Sequence, residues 1–496
     1  MIEPRDEHNL RLIANVHPDD WVNPEPAERY HLVVVGAGTA GLVSAAGAAG
    51  LGARVAIVER HLMGGDCLNV GCVPSKGVIR AARAWQEARQ AAERFGGPGA
   101  EGPGDFGAAM ERMRRLRAGI SVHDSAARFR SLGIDVFLGD GRFVGPDAVE
   151  VGGKRLRFRR AVIATGGRAA VPPIPGLAEA GPRTNETIFN LTELPARLVV
   201  LGAGPIGCEL AQTFARFGSE VTLLDMEAHV LVREDADAAE VVQKALQRDG
   251  VRLELSAKVL EARRGVLVIE RQGQRKEILA DEILVAAGRA PNIEGLGLDA
   301  AGVKSTKQGV EVDDNLRTSN RNVFACGDVA SRFQFTHVAD AQARIVIQNA
   351  LFFGRLKASA LTIPWCTYTT PEIAHVGLYE KDAKERGIAV DTLTVPLSSV
   401  DRAILDGADE GFLRVHLEKG KDRILGATLV ADHAGDMIGE LCLAITHGIG
   451  LGKIAGVIHP YPTQGEVIKK AADQWRRTKL TSGVRKLFER WFRVFR

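Results

Sequence analysis

Cysteine is scarce in this chain: six in 496 residues, of which Cys208, Cys326, Cys366 and Cys442 stand alone. So few thiols in so long a chain exclude a secreted disulfide scaffold and fit the cytoplasm best. Aromatic residues are sparse at 5%, and a net charge of +3 is too small to argue for nucleic acid. Met1 to Arg29 is charged and contains proline, and it has no apolar h-region to suggest a signal peptide. Leu32 to Ala53 carries no charged residue and is long enough for a membrane span. Six of its residues are glycine, however, and its first four suffice for a strand, so it reads as strand, turn and helix. What the chain has in quantity is glycine, 55 residues, within an ordinary globular balance of 45% hydrophobic and 25% charged residues. At roughly 150 residues per domain, its length implies about three domains.

A phosphate-binding unit occurs twice, in His31 to Glu59 and in Arg197 to Asp225. Each begins with an apolar run, Leu32-Val33-Val34-Val35 or Leu198-Val199-Val200-Leu201, that meets a Gly-x-Gly-x-x-Gly turn. An Ala-rich helical stretch and a second apolar run follow, and each copy closes on an acid. Gly36, Gly38 and Gly41 pair with Glu59, and Gly202, Gly204 and Gly207 with Asp225, both acids 23 residues after the first glycine. The first glycine permits the tight turn, the second admits a pyrophosphate to the backbone, and the third lets helix and strand pack closely. The helix N-terminus then faces the phosphates. One such turn is weak support, because Gly-rich turns are common for structural reasons, but two copies with matching acids predict two bound dinucleotides.

Between the copies lies a predominantly helical stretch, Val78 to Arg130. A strand-rich section follows the second copy to Ala287, then an amphipathic helix around Val338 to Phe353. From Thr362 the pattern alternates strand and helix, as in Phe412 to His416 and Met437 to Ile449, and suits a separate α+β domain. The segment Gly64-Gly65-Asp66-Cys67-Leu68-Asn69-Val70-Gly71-Cys72-Val73-Pro74-Ser75-Lys76 sets two cysteines five positions apart, near enough to bridge across one distorted turn. At a helix start, a thiolate there is favoured by the backbone dipole. The alternatives are two buried structural cysteines or half a zinc site, for which His61 is the one further ligand close in sequence.

The same segment closely resembles the redox-active disulfide motif of the class I pyridine nucleotide-disulfide oxidoreductases, the family of glutathione reductase, dihydrolipoamide dehydrogenase and mercuric reductase. The resemblance runs from about His31 to Thr481. Ala164-Thr165-Gly166 and Ala287-Gly288-Arg289-Ala290-Pro291-Asn292 resemble its two interdomain loops, and Thr318 to Asp328, with Gly327 and Asp328 at its end, its second FAD motif. The resemblance implies an α/β architecture of two Rossmann-like dinucleotide-binding domains with a C-terminal α+β dimerisation domain. The expected division is an extension over 1–30, an FAD domain over 31–180 and 316–358, an NAD(P) domain over 181–315, an interface domain over 359–480 and a basic tail over 481–496. The cofactors it implies are FAD and NAD(P)H. Cys72 is then the thiolate facing the flavin and Cys67 the thiol that attacks substrate. Lys76 sits by flavin N5, paired with Glu209, whereas taken alone these two would read as a solvated charged pair. Glu59 binds the FAD adenosine ribose and Asp328 the ribityl chain, and Gly65, Thr165, Gly166, Gly288, Arg289 and Gly327 complete the cofactor set. Asp225 and Glu227 stand where a 2′-phosphate would lie, so NADH is expected over NADPH, although Arg233 is near enough in sequence to fold back. No resident metal is expected.

The chain departs from the disulfide reductases near its end. Where they carry His-Pro-Thr and a nearby Glu, supplied by the partner subunit of a homodimer to manage thiol protons, it has His459-Pro460-Tyr461-Pro462-Thr463-Gln464-Gly465-Glu466. Tyr461 takes the His position, a change of roughly 3.5 units in reference pKa, or about 5 kcal/mol in proton affinity. His459 either compensates from two positions away or is structural. Tyr461, Ile363 to Thr369 and Val400 to Ile404 resemble the mercuric-reductase-like branch, yet the vicinal C-terminal cysteine pair of mercuric reductases is absent from this sequence. The expected substrate is a thiol-bound metal ion of the Hg(II) type or a disulfide. Arg476 to Arg496 holds eight Lys/Arg against one acid, interleaved with Leu487, Phe488, Trp491, Phe492 and Phe495. That pattern suits an amphipathic helix on an anionic membrane or a partner, with a membrane-docked electron-transfer protein as the corresponding function, or a basic helix packed on its own dimer.

Overall fold

Both apolar runs that precede the glycine turns are central strands of parallel sheets. In the computed structural model, which describes residues 2–102 and 104–495, Tyr30–Val35 lies between Val55–Glu59 and Lys154–Ile163. Asp135–Leu138 continues the parallel sheet on one side and Val323–Ala325 on the other. Lys154–Ile163 serves two sheets: its first residues pair antiparallel with Ala148–Val151, and its second half enters the parallel sheet. Leu32, Val33, Val34, Ala161, Val162 and Ile163 are fully buried, because layers on both faces of a parallel sheet leave no solvent side. The uncharged stretch Leu32 to Ala53 is the expected strand, turn and helix: most of Tyr30–Val35, the glycine turn and Thr39–Gly50. That helix packs on Thr336–Leu351 at Gly47, where a Cβ would come within 2.6 Å of Ile347 Cδ1.

The second repeat builds a smaller parallel sheet in the order Arg252–Glu254, Glu220–Leu224, Arg197–Leu201, Glu282–Val285, beside an antiparallel meander of Ala257–Arg263, Val266–Arg271 and Gln274–Leu279. A two-stranded ribbon, Gly167–Ala169 with Arg289–Pro291, carries the chain across and back. Thr165 Oγ1 donates to Asn292 O at 2.7 Å, and Asn292 Nδ2 donates to Thr165 O at 2.9 Å, so the two loops singled out in the sequence lock each other. The last unit is an antiparallel sheet ordered Pro364–Thr367, Glu372–Gly377, Ile424–Ala431, Phe412–Glu418, Val390–Pro396, packed with the helices Ala434–Thr446 and Glu466–Thr478. The expected two Rossmann-like units and α+β domain are thus present.

Four helix limits differ from the sequence reading: the helix expected around Val338 to Phe353 is Thr336–Leu351, and that expected over Met437 to Ile449 is Ala434–Thr446. Residues 2–29 are a built part of the molecule: helix Glu7–Val16, capped by Asp6, buries Asn9, Leu12 and Val16. Trp21 and Asn23 then bond the main chain of the edge strand, at Val136 and Leu138. The fully buried Arg117 donates to Asn9 Oδ1 at 2.7 Å and to Asn69 O at 2.6 Å, tying this helix to the cysteine segment. Among the described residues no carboxylate accepts from it, and burial lowers its pKa to about 10. Hydrogen bonds to buried charged groups contribute about 1.5–3 kcal/mol each. Asn9→Ala is therefore expected to lower the stability of the N-terminal unit by about 1.5–3 kcal/mol, read as an earlier urea midpoint.

Candidate functional site

The cysteine segment folds as two helices rather than one distorted turn. Gly65–Asn69 carries Cys67, the chain breaks at Val70 and Gly71, and Cys72 opens the 24-residue helix Cys72–Phe95. Pro74 fits the first turn of that helix, where its missing N–H leaves no intrahelical bond unmade. Gly71 is required by proximity, since a Cβ there would lie 2.8 Å from Asp66 O. The long helix is held between Phe106–Ile120 and Pro205–Phe217, with Trp85 edge-on to Phe217 at 4.8 Å between ring centroids. Cys72 is thereby fixed at an uncapped helix start, where the backbone dipole favours a negative charge.

Three further groups act on Cys72. Its thiol lies 3.4 Å from Thr336 Oγ1, at the start of the helix Thr336–Leu351. Cys67 is its hydrogen-bond partner, and Lys76 sits one turn along the same helix. The Lys76 ammonium donates to Glu209 Oε2 at 2.9 Å and lies 4.4 Å from the centre of the Tyr368 ring. Burial works against the charge on Lys76, and the Glu209 carboxylate outweighs it, so its pKa is raised. Glu209, only 8% exposed, also accepts from Tyr368 N at 2.9 Å, so the third domain helps aim it.

These contacts divide the six thiols. The hydrogen bond from Cys67, helped by Thr336 and Lys76, brings Cys72 down to about 6 against the opposing effect of burial. Cys67 moves the other way, first because it is the donor to Cys72 and then because it is buried. Burial raises all four lone cysteines, Cys326 to about 12 and Cys442 to about 11, with Cys208 and Cys366 also well above the ordinary thiol value. Only Cys72 therefore offers a thiolate at neutral pH, which is the form that reacts. Cys366 lies behind Lys76 and Glu209, with its sulfur 3.8 Å from Glu372 Oε2, and burial raises that carboxyl to about 7.

The two nucleotide turns match closely. Gly38 and Gly204 precede their helices with φ, ψ of −75°, −174° and −75°, −175°, and neither helix has a side-chain cap. A Cβ at Gly41 would lie 1.8 Å from Gly36 O, and one at Gly207 1.8 Å from Gly202 O. At Gly204 nothing lies within 4 Å, and at Gly38 only Gly65 Cα at 3.7 Å. The backbone N–H groups thus stand uncapped beside open ground, which fits a pyrophosphate. Glu59 accepts from Ala37 N at 2.7 Å and His61 N at 2.8 Å; Asp225 accepts from Ala203 N at 2.5 Å and Glu227 N at 3.0 Å. Arg289 pairs with Asp66 and, at 3.4 Å, with Asp328, while also donating to Gly167 O. Burial raises the pKa of Asp328 and Arg289 opposes that rise. This cluster joins the cysteine helix, the interdomain ribbon and Gly327-Asp328.

The sequence signature of the pyridine nucleotide-disulphide oxidoreductases matches residues 30–343, and that of their dimerisation domain matches residues 363–472. The chain belongs to this family. As a member it is an oxidoreductase that uses FAD and NAD(P)H. It is 34% identical over 451 residues to the mercuric reductase of Staphylococcus aureus, covering 89% of this chain and 82% of that protein. It is 35% identical over 455 residues to the dihydrolipoyl dehydrogenase of Geobacillus stearothermophilus, covering 89% and 95%. Among solved structures, the HOCl-induced flavoprotein disulfide reductase RclA of Escherichia coli superposes with a TM-score of 0.79 at 28% identity, over 90% of this chain and 99% of that one.

The structure brings Cys67, Cys72, Lys76 and Glu209 together. It holds His459, Tyr461 and Glu466 in the third domain of the same chain: His459 Nε2 meets Glu440 at 3.1 Å, Tyr461 donates to Asp401 at 2.8 Å, and Glu466 lies 3.6 Å from Lys470. Sequence reasoning missed Thr336, Tyr368 and the Arg117–Asn69 tie. Tyr368 was marked only by the Ile363 to Thr369 resemblance, and nothing local marked the other two. In the reduced enzyme, thiolate absorbance at 240 nm is expected to appear with a midpoint near pH 6. Thiolate is the deprotonated form, so the signal rises with pH. Lys76→Met removes a charge that favours thiolate and moves the midpoint upward.

Proposed function

We propose that the protein is an NADH-dependent, homodimeric flavoenzyme whose Cys67/Cys72 pair reduces a thiol-bound metal ion of the Hg(II) type, with small disulfides as poorer substrates. The supporting observation lies at the C-terminal motif. Both ring nitrogens of His459 are engaged within its own chain, by Glu440 at 3.1 Å and Val457 O at 3.3 Å, and its side chain is 9% exposed. Tyr461 is 70% exposed. The group this face offers to a second subunit is therefore a phenol rather than an imidazole. A phenol is a poor proton shuttle for repeated disulfide exchange at neutral pH. A metal ion held by two thiolates asks less of it, because Cys67 and Cys72 both bind as thiolates.

Gly36, Gly38, Gly41 and Glu59 would hold the adenosine and pyrophosphate of FAD, and Gly65, Thr165, Gly166, Gly288, Arg289, Gly327 and Asp328 its remaining length. Gly202, Gly204, Gly207 and Asp225 would hold NADH. Bound there, FAD supplies two-electron transfer between the nicotinamide and the disulfide. Lys76 and Glu209 keep a positive charge beside Cys72, and Thr336 steadies its sulfur. Cys67 keeps its proton until substrate arrives; when its sulfur binds the metal ion, one of the substrate's thiolate ligands would be displaced and leave with that proton as a free thiol. Asp225, with the exposed Glu227 beside it, opposes a 2′-phosphate.

The test is NADH oxidation with thiol-complexed Hg(II), lipoamide and glutathione disulfide, in the wild type and in Cys67→Ala. Turnover is expected with Hg(II), abolished by the substitution, and slower with either disulfide. Faster Cys67-dependent turnover with lipoamide or glutathione disulfide would refute the metal assignment. NADPH is expected to be at least about tenfold less efficient than NADH, since like charges would face each other.

A further inference from the structure

The thirteen-residue helix Ser482–Val494 lies beyond the matched dimerisation domain, which ends at 472. Thr481 caps it by accepting from Val484 N, and it follows Glu466–Thr478, whose Val467, Ile468, Ala471 and Ala472 anchor the third domain. None of its residues is buried. At 100° per residue, Val484, Leu487, Phe488, Trp491, Phe492 and Val494 fall on one side, with Phe495 continuing it. Arg485, Lys486, Glu489, Arg490 and Arg493 take the opposite side. From Leu487 to Phe495 the apolar members are 48% to 78% exposed, and their rings lie beside one another at a tilt along the helix, Trp491 with Phe495 at 4.5 Å and Phe488 with Phe492 at 6.5 Å between centroids.

We propose that this helix docks the enzyme on an anionic lipid surface, lying in the plane of the membrane. Three observations select that occupant. The helix is about 20 Å long, too short to cross a hydrocarbon core of about 30 Å, and no helix among the described residues is long and apolar enough to span. Four basic residues against one acid on the polar side complement negative headgroups. Trp and Phe on the other side suit the headgroup boundary, where aromatic rings settle. The family's dimerisation region, which ends at 472, stops before the helix begins, so it supplies no second copy to cover the apolar side.

The experiment is co-sedimentation of the FAD-loaded, full-length enzyme with vesicles of phosphatidylcholine plus phosphatidylglycerol, or of phosphatidylcholine alone, at low and high salt. The wild type is expected to pellet with the anionic vesicles and to be released by salt, with a blue shift of Trp491 fluorescence. Arg490→Glu with Arg493→Glu should weaken binding at least about tenfold, each charge near the surface being worth about fivefold. Phe488→Glu with Trp491→Glu should abolish it, and both variants should keep wild-type NADH oxidation in solution. Absence of binding to anionic vesicles, or equal binding by the variants, overturns the proposal. So does dissociation of the dimer in the apolar-face variant, which would place the helix between subunits.

Discussion

The negative charge on Cys72 is the constraint around which the rest of the molecule is arranged. A buried thiol ordinarily resists ionising, as the other cysteines here do. Cys72 is reversed by several modest effects converging on one sulfur: a helix start, the Cys67 hydrogen bond, Thr336 and Lys76. The helix start, Cys67 and Lys76 belong to one segment, but Thr336 opens a distant helix and the carboxylate that holds Lys76 lies on another unit, so the site is complete only when the units are assembled. Glu209 belongs to the second nucleotide unit, and Tyr368, which shares it with Lys76, belongs to the third domain. Arg117 secures the other side, bonding the carbonyl of Asn69 between the two cysteines.

The two nucleotide turns solve a single problem twice. In each, the first and third glycines bring backbone within van der Waals contact, and a carboxylate 23 residues on accepts from the N–H that follows the first glycine. The acid thus shapes the loop through the backbone N–H groups it accepts from. The interdomain ribbon then fixes one turn relative to the other, and Arg289 draws that ribbon onto Asp66, one residue before Cys67.

What the sequence made legible was local. The glycine spacings, the apolar runs and the Cys67 to Lys76 segment are each contained in a few dozen residues; the first two appear as expected, while the cysteines sit on two short-spaced helices rather than across one distorted turn. The family resemblance added the Lys76–Glu209 pair, which the residues alone would have left as a surface pairing. Thr336 lies 264 positions from Cys72, Tyr368 lies 159 from Glu209, and Asn69 lies 48 from Arg117. Such pairs leave no periodicity, and Thr336 was further hidden because the helix was expected to begin at Val338. Tyr461 was legible as the departure from the family pattern, but whether His459 compensates for it or is structural was not, because its partner Glu440 sits on another helix with no motif to mark it.

On the proposed function, Cys67 and Cys72 form a redox couple that stores electrons within the protein. Anaerobic reductive titration of the FAD-loaded enzyme tests it most directly. A disulfide takes up two electrons, so the wild type should accept two electrons per chain more than Cys67→Ser, with two thiols appearing on reduction. Equal uptake by the two proteins, with no new thiol, would contradict the account.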